Sequence, residues 1–551
     1  MTGRPRAPAA GGRSARLFWL WAALHAVAWT LVPTWTQPAG HRDVIELLNW
    51  GRHPAWGYWK HPPLQPWVAD LAVRLAGGRL WGVYAVAQVG LTVCLWAVWR
   101  MGRDVLPPRD ALLGVLLLDG IFFYNYNSPK FNHDALQLPL WALIGFFAWR
   151  ASTRGRLGAW LALGFVAGLG VLSKYSVVCL LGPLALFVLA TPHTRRSLRT
   201  AGPWLALGVA AVVVLPHVWW LTAHGFPPVA YGLGRAARQG RWLDHVWNPL
   251  SFAANHAATV APLIGLAGVL GLWRGGARRP APTSPLARPF LLTVTLGPCL
   301  VYLAISALTG LRLLSGWGSP LWSYLGVGLL VWRQPAADPA VSRRFRRWLG
   351  ALSIFWLVLF AGQFTLGPWL GHVRPEHFPG PTVAELVTAT WHARFPGPLA
   401  VVAGDRGWAD PVAFYSPDRP DVYDLDDSDP VKNLGVDDAS VRRRGAVLVW
   451  NARVSGPAVP APWRARFPGV TPEPARALPW LTRAAVPPVE LGWALVPPAA
   501  QPGRGGALLI ASPGAGAAPP RRWPRTPPRV RPPDSFTGSP SAVAVGWRAG
   551  R

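Results

Sequence analysis

Eleven apolar runs fill most of residues 1–370, at 16–35, 79–99, 109–126, 134–150, 156–172, 175–191, 202–222, 252–273, 289–309, 318–332 and 348–369. Most approach the roughly 20 residues a helix needs to cross the hydrocarbon of a bilayer. No water is present there to satisfy backbone N–H and C=O groups, so runs of this kind are confined to helix. The pattern predicts an all-α polytopic membrane protein with about 11 transmembrane helices. The loops alternate in charge. Arg4, Arg6, Arg13 and Arg16 precede the first run, and the loops Arg100 to Arg109, Arg150 to Arg156, Arg195 to Arg199, Arg274 to Arg288 and Arg333 to Arg347 are basic. Short basic loops remain in the cytoplasm. Eleven spans put every one of them on the side of the N-terminus, and everything after about residue 371 outside. The first run lacks a small-residue cleavage site and reads as an uncleaved anchor.

Composition supports a membrane chain. It is 51% hydrophobic and 14% charged, against about 25% charged in soluble proteins. The net charge of +30 raises nucleic acid as a partner. The basic residues, however, lie between apolar runs and in a Pro-rich tail, where topology and lipid headgroups account for them, so no nucleic-acid partner is expected. Only four of the 54 basic residues are lysines, Lys60, Lys130, Lys174 and Lys432. Cys94, Cys179 and Cys299 sit inside apolar runs and read as small buried hydrophobes rather than a disulfide or metal site.

Beyond residue 370 the pattern changes. Helix-like spacing at 382–396 and 435–443 alternates with strand-like runs at Leu399–Ala403, Ala446–Trp450 and Ala507–Ala511. This predicts a small α/β domain over 371–512. Residues 513–551 form a Pro/Arg-rich tail, expected to be partly disordered.

The polar constellations fall in the loops assigned to the outside. Loop 36–78 has amphipathic spacing at Asp43–Gly51 and Pro63–Leu75, suited to the membrane surface or to a packed loop. Asp43 and Glu46 are three apart and share a helix face. One of them can serve as a general base, and solvated surface acids are the plainer alternative. Lys60 and His61 precede a rigid Pro62-Pro63, an arrangement suited to phosphate or to interfacial anchoring. Asn127, Lys130, Asn132, His133 and Asp134 cluster between two apolar runs, as expected of a polar substrate pocket. Asp119 lies inside the preceding run, where an acid serves function or helix pairing. Lys174, His217, His224, Arg235, Arg238 and Arg312 complete the set, each alone being an ordinary interfacial side chain. The HExxH, P-loop, zinc-ligand and Gly-Xaa-Ser-Xaa-Gly patterns are absent.

The ordered set Asp43…Trp56-Gly57-Tyr58…His61-Pro62-Pro63-Leu64, Lys130-Phe131-Asn132-His133-Asp134, Leu172-Ser173-Lys174-Tyr175, His224-Gly225 and Trp317-Gly318-Ser319-Pro320 resembles the GT-C membrane glycosyltransferases. The type is bacterial family 39, akin to protein O-mannosyltransferases and the lipid A aminoarabinose transferase. Val402-Ala403-Gly404-Asp405 and Phe414-Tyr415-Ser416-Pro417 resemble the external domain of some members. The resemblance implies a multi-pass protein of the bacterial inner membrane, with a cytoplasmic N-terminus and an extracytoplasmic C-terminal domain. It implies transfer of a sugar from a polyprenyl-phosphate donor to a hydroxyl of a lipid, protein or polysaccharide acceptor, with inversion. Asp43 would be the base, with Glu46 near it. Lys60, His61, Lys174, Arg235 and Arg312 would hold the donor phosphate, and Asp119, Asn127, Lys130, Asn132, His133, Asp134 and His224 would line the substrate pocket. A monophosphate donor among several cations needs no divalent metal. Val44 stands where such proteins carry the second acid of an Asp-Glu pair, and Lys60 where many carry an acid. A flippase for lipid-linked glycans and a non-catalytic envelope scaffold are the rival classes. Paired repeats or broken helices in two halves would mark the transporter, and the sequence has none.

Overall fold

The computed structural model describes residues 9–235, 240–273, 284–336, 338–427 and 429–499. Arg238, most of the basic stretch before Arg288, the strand expected at Ala507–Ala511 and the tail 513–551 lie outside the described residues.

Each apolar run folds at least partly as helix. Those with uninterrupted aliphatic sequence form α1 (Ala9–Thr36), α4 (Trp81–Val105), α10 (Ala201–His224), α12 (Asp244–Val269), α13 (Ala287–Thr309) and α15 (Pro339–Thr365). Between α1 and α4 the outer loop forms α2 (Arg42–Gly51) and α3 (Leu64–Leu75). The remaining helices of this part are α5 (Pro108–Leu116), α6 (Gln137–Arg154), α7 (Leu157–Ser173), α8 (Val178–Ala190), α9 (Pro192–Arg195), α11 (Pro227–Arg235) and α14 (Leu325–Trp332).

Among the described residues, six helices are long and apolar enough to cross a membrane, or seven if Tyr175–Ala190 and the segment Pro192–Arg199, bent by 89°, count as one span. The expected count of eleven is therefore not reached. Run 109–126 breaks after α5 into short 3-10 turns at Leu117–Gly120 and Phe122–Tyr124, because it carries the polar Asp119 and Asn125. Run 318–332 yields only the eight residues of α14. The crossing helices carry the exposed apolar surface, including Trp204, Leu207 and Val212 on α10 and Ile354, Phe355 and Val358 on α15. Exposed apolar area of this extent marks contact with lipid or a partner. Where α7 meets α10, Gly164 lies so close to Ala206 that an added Cβ would sit 2.1 Å from its carbonyl oxygen. Small residues admit such close helix approach in membranes.

The surface-helix expectation for loop 36–78 is half met. Both helices form, but the apolar face of α2 (Val44, Ile45, Leu47, Leu48, Trp50) packs on Ala69, Val73, Val83, Phe131 and Phe414 rather than facing lipid.

The α/β part holds α16 (Gly380–Arg394), β1 (Val401–Gly404), α17 (Arg406–Tyr415), β2 (Asp421–Asp424), α18 (Asp438–Arg444), β3 (Ala446–Asn451), α19 (Ala452–Ser455), α20 (Ala461–Arg466), β4 (Thr471–Leu478) and β5 (Val489–Val496). Its sheet runs in the order β2-β1-β3-β5-β4. The pairs β1–β2 and β1–β3 are parallel, and β3–β5 and β4–β5 antiparallel. Residues of α16 and α17 cover one face, and Val441 of α18 and Trp463 of α20 the other. Strands buried on both faces read as unbroken apolar runs, as β1 and β3 do.

Candidate functional site

Helix α2 begins at His41, whose Nδ1 accepts the N–H of Asp43 at 3.1 Å. That bond leaves the Asp43 carboxylate at the helix start, half exposed and 3.3 Å from Lys130. Partial burial pushes this carboxyl up, but His41 and Lys130 outweigh it and hold it below the usual carboxylate range. One turn on, Glu46 binds Lys60 through both oxygens, at 2.7 and 2.9 Å.

The turn 57–63 is fixed from three sides. Gly57 admits the Trp220 ring of α10, where an added Cβ would lie 2.3 Å from a ring carbon. His217, also on α10, bonds the Trp56 carbonyl at 2.5 Å and the Tyr175 hydroxyl at 2.8 Å. Buried Gln65 donates to the carbonyls of Ser173 and His133, at 2.8 and 3.2 Å. This frame stacks His61 on His133 with ring centroids 3.4 Å apart. Burial, with Lys174 and Lys60 adding to it at His61, holds both imidazoles well below their ordinary range, so both are neutral. His61 thus offers a neutral ring nitrogen rather than the second cation expected beside Lys60. Lys174 is ion-paired with Asp134, and its ammonium lies 5.2 Å from the centre of the Trp317 ring.

Asp43, Glu46, Lys60, His61, Lys130, His133, Asp134 and Lys174 therefore form one connected cluster. Other expected members stand apart. Asp119 is fully buried 3.4 Å from His25 of α1 and accepts from Ser353 of α15 at 2.6 Å, which makes it a link between helices rather than part of this pocket. Asn132 uses its side-chain oxygen to cap the N–H groups of Asp134 and Ala135 at 3.0 and 3.1 Å. Asn127 makes backbone bonds to Phe122 and Lys130. His224 is exposed and stacked on Trp220. Arg235 is exposed one turn beyond Tyr231, whose ring meets His61 and Trp59. Arg312 is exposed and pairs with no carboxylate among the described residues.

Sequence reasoning left out Gln65, Trp59 and Lys432. Lys432 comes from the α/β part, pairs with Asp424 and Asp427 at 3.2 and 2.8 Å, and lies 4.9 Å from the centre of the Trp59 ring. Lys60 lies 4.6 Å from the same ring. The signal was present, because Lys432 is the fourth of the four lysines. The α/β part roofs the cluster through Asn49, which donates to Asp410 of α17 at 3.1 Å, and through Tyr415, whose hydroxyl accepts from Gly40 N–H at 2.7 Å. Among the described residues no three His, Cys, Asp or Glu side chains are placed to hold a metal ion.

The two neutral histidines set a pH dependence. A His whose folded pKa lies below its unfolded value of about 6.5 takes up its proton more readily when unfolded. Stability is then full above about pH 6.5 and falls as pH drops below it. Thermal unfolding in detergent is expected to show that fall, and the double variant His61→Phe, His133→Phe to flatten it.

Residues 60–220 match the model of the dolichyl-phosphate-mannose-protein mannosyltransferase family. The chain is 26% identical over 241 residues to the lipid A galacturonosyltransferase RgtD of Rhizobium johnstonii, covering 42% of this chain and 49% of that protein. It is 28% identical over 225 residues to the undecaprenyl phosphate-alpha-4-amino-4-deoxy-L-arabinose arabinosyl transferase of Pseudomonas savastanoi pv. phaseolicola, covering 39% and 40%. The match thus spans half or less of the length of these curated relatives. Crystal structures of ArnT from Cupriavidus metallidurans, apo and bound to undecaprenyl phosphate, share the fold with TM-scores of 0.56 and 0.53, over 87% and 88% of this chain and 98% of theirs, at 13% and 14% identity. With its apolar helices and this shared fold, the chain is a multi-pass membrane protein with the GT-C fold seen in the ArnT structures, and its residues 60–220 are similar to the protein-mannosyltransferase family.

Proposed function

We propose that the chain transfers a sugar from a polyprenyl-phosphate donor to an acceptor hydroxyl at the outer face of the membrane, with inversion. The observation that carries this reading is the single cluster in which a carboxylate at a helix start, Asp43, stands beside Lys130, Lys60 and the His61–His133 pair. Asp43 accepts the proton of the acceptor hydroxyl. The hydroxyl oxygen bonds to the anomeric carbon as the bond from that carbon to the phosphate oxygen breaks, and the polyprenyl phosphate leaves with the electron pair. Lys60, Lys174 and a ring N–H of His61 stabilise the charge on the leaving oxygen, the term that usually dominates such catalysis. Arg235, one turn from Tyr231, is a further donor contact, and Arg312 another. These cations serve in place of a divalent metal.

Each of these lysines starts out paired with a carboxylate, so donor binding is an exchange of partners. Phosphate that engages Lys130 frees Asp43 from the charge holding its pKa down and makes it a stronger base. The name of the ArnT structure bound to undecaprenyl phosphate supports the donor class. Relatives named for lipid A and for lipopolysaccharide core support a lipid-linked saccharide as acceptor. The reading puts the N-terminus in the cytoplasm and the α/β part outside.

Purified protein in lipid, given radiolabelled polyprenyl-phosphate sugars and a membrane extract as acceptor, is expected to move label to a lipid product. Label in protein or polysaccharide would reassign the acceptor. No label moved with any sugar, with the donor lipid translocated instead, would replace this reading by transport.

A further inference from the structure

Helices α1 and α15 run in the same direction. Trp29 and Phe360 meet edge to face with ring centroids 5.3 Å apart, and earlier in each helix His25 and Ser353 meet the same Asp119 side chain, at 3.4 and 2.6 Å. Thirteen residues separate Trp29 from Arg16 and also Phe360 from Arg347. At the helical rise, both arginines therefore lie roughly 20 Å from the ring contact, at the face where the two helices begin. Arg13 on α1 and Arg343, Arg344 and Arg346 on α15 lie within about one turn of them. All six are exposed, and none pairs with a carboxylate among the described residues. The neighbouring acids are engaged elsewhere. Asp338 caps α15 by accepting from the Ala340 N–H at 2.7 Å, Asp104 of α4 pairs with Arg154 at 3.0 Å, and Asp110 of α5 is buried. Directly after its arginines each helix exposes large apolar side chains, Leu17 and Leu20 on α1, Trp348 and Phe355 on α15.

We propose that these arginines bind the headgroups of anionic phospholipids in the leaflet where α1 and α15 begin, with the acyl chains lying along the apolar rows that follow. A planar guanidinium takes a phosphate through two parallel N–H bonds, and a basic cluster at the end of a membrane-crossing helix attracts anionic lipid. An acidic protein or a nucleic acid matches the charge alone, whereas a phospholipid matches the charge and the apolar rows together. Loop charge that only sets topology acts during insertion and leaves the folded protein with no preference among lipids. Lipid binding at this face does not depend on the transferase reading. With the N-terminus in the cytoplasm, the leaflet concerned is the cytoplasmic one.

Native mass spectrometry of the full chain in uncharged detergent counts bound lipids directly. Dioleoylphosphatidylglycerol and dioleoylphosphatidylcholine, which share their chains and differ in net charge, are added in competition. The anionic lipid is expected to bind roughly tenfold more tightly or better, the effect of about two arginines at a membrane surface. In the double variant Arg346→Gln, Arg347→Gln that preference is expected to fall roughly tenfold. In Arg442→Gln, Arg443→Gln, which removes the same charge from exposed positions of α18, it is expected to stay. Glycerol 3-phosphate, the anion without chains, is expected not to displace the lipid. Equal binding of the two lipids, an equal loss in the α18 variant, or displacement by glycerol 3-phosphate overturns the assignment. If the α15 variant does not purify, Arg13→Gln with Arg16→Gln on α1 carries the same expectation.

Discussion

Asp43→Asn is expected to lower kcat for sugar transfer by roughly 10²- to 10⁴-fold, the contribution of a positioned general base, while donor binding stays intact. Asn keeps the shape and the helix start but cannot accept the proton. Steady-state transfer of labelled sugar beside equilibrium binding of undecaprenyl phosphate makes the separation. Equal rates would move the base to Glu46, whose pairing with Lys60 at 2.7 Å otherwise marks it as a counter-ion. A companion variant sharpens the test. Lys130 helps hold the Asp43 carboxyl down, so Lys130→Met should raise its pKa and shift the acid limb of the pH–rate profile to higher pH. A profile that does not move would separate Asp43 from the rate-limiting proton transfer.

The second large effect is expected at Lys174. Lys174→Met leaves the Asp134 carboxylate, whose side chain is 20% exposed, without its cation. Breaking a mostly buried pair by removing one partner costs about 3 kcal/mol or more, read as a lower midpoint of thermal or denaturant unfolding. Adding Asp134→Asn removes the stranded charge and should restore most of that stability. Transfer should remain impaired in both variants, because the donor phosphate has lost a cation. Transfer that recovers together with stability would make Lys174 a purely structural residue.

What the sequence revealed depended on the range of the forces involved. The amphipathic spacing of Asp43–Gly51 is local, and α2 forms there. The apolar runs that became β1 and β3 were visible because both faces of those strands are covered. β4 was not, since Thr471–Leu478 carries two prolines and lies mostly exposed at the sheet edge, where Pro costs no ladder bond. The interruption of run 109–126 was not legible either, because hydropathy there does not show that the helix gives way to 3-10 turns at Asp119 and Asn125. Asp119 illustrates the wider limit. Its residue type marked it as unusual for an apolar run, but its partners, His25 and Ser353, lie on two other helices, and no local pattern names them. Within the candidate site, the ordered motifs fall on loops that the fold gathers into one cluster, whereas Gln65 and Trp59 enter it only through three-dimensional packing.

The four lysines make the site chemically addressable. Lys60 and Lys432 flank one indole, Lys130 holds Asp43 and Lys174 holds Asp134, while the other 50 basic residues of the chain are arginines. An ammonium is a compact charge that fits between a carboxylate and an aromatic face, where a planar guanidinium demands more room. An amine-selective acylating reagent, which passes over guanidinium groups, would therefore act on this protein almost as a label for the candidate site. Each modified peptide would report which carboxylate had let go of its lysine.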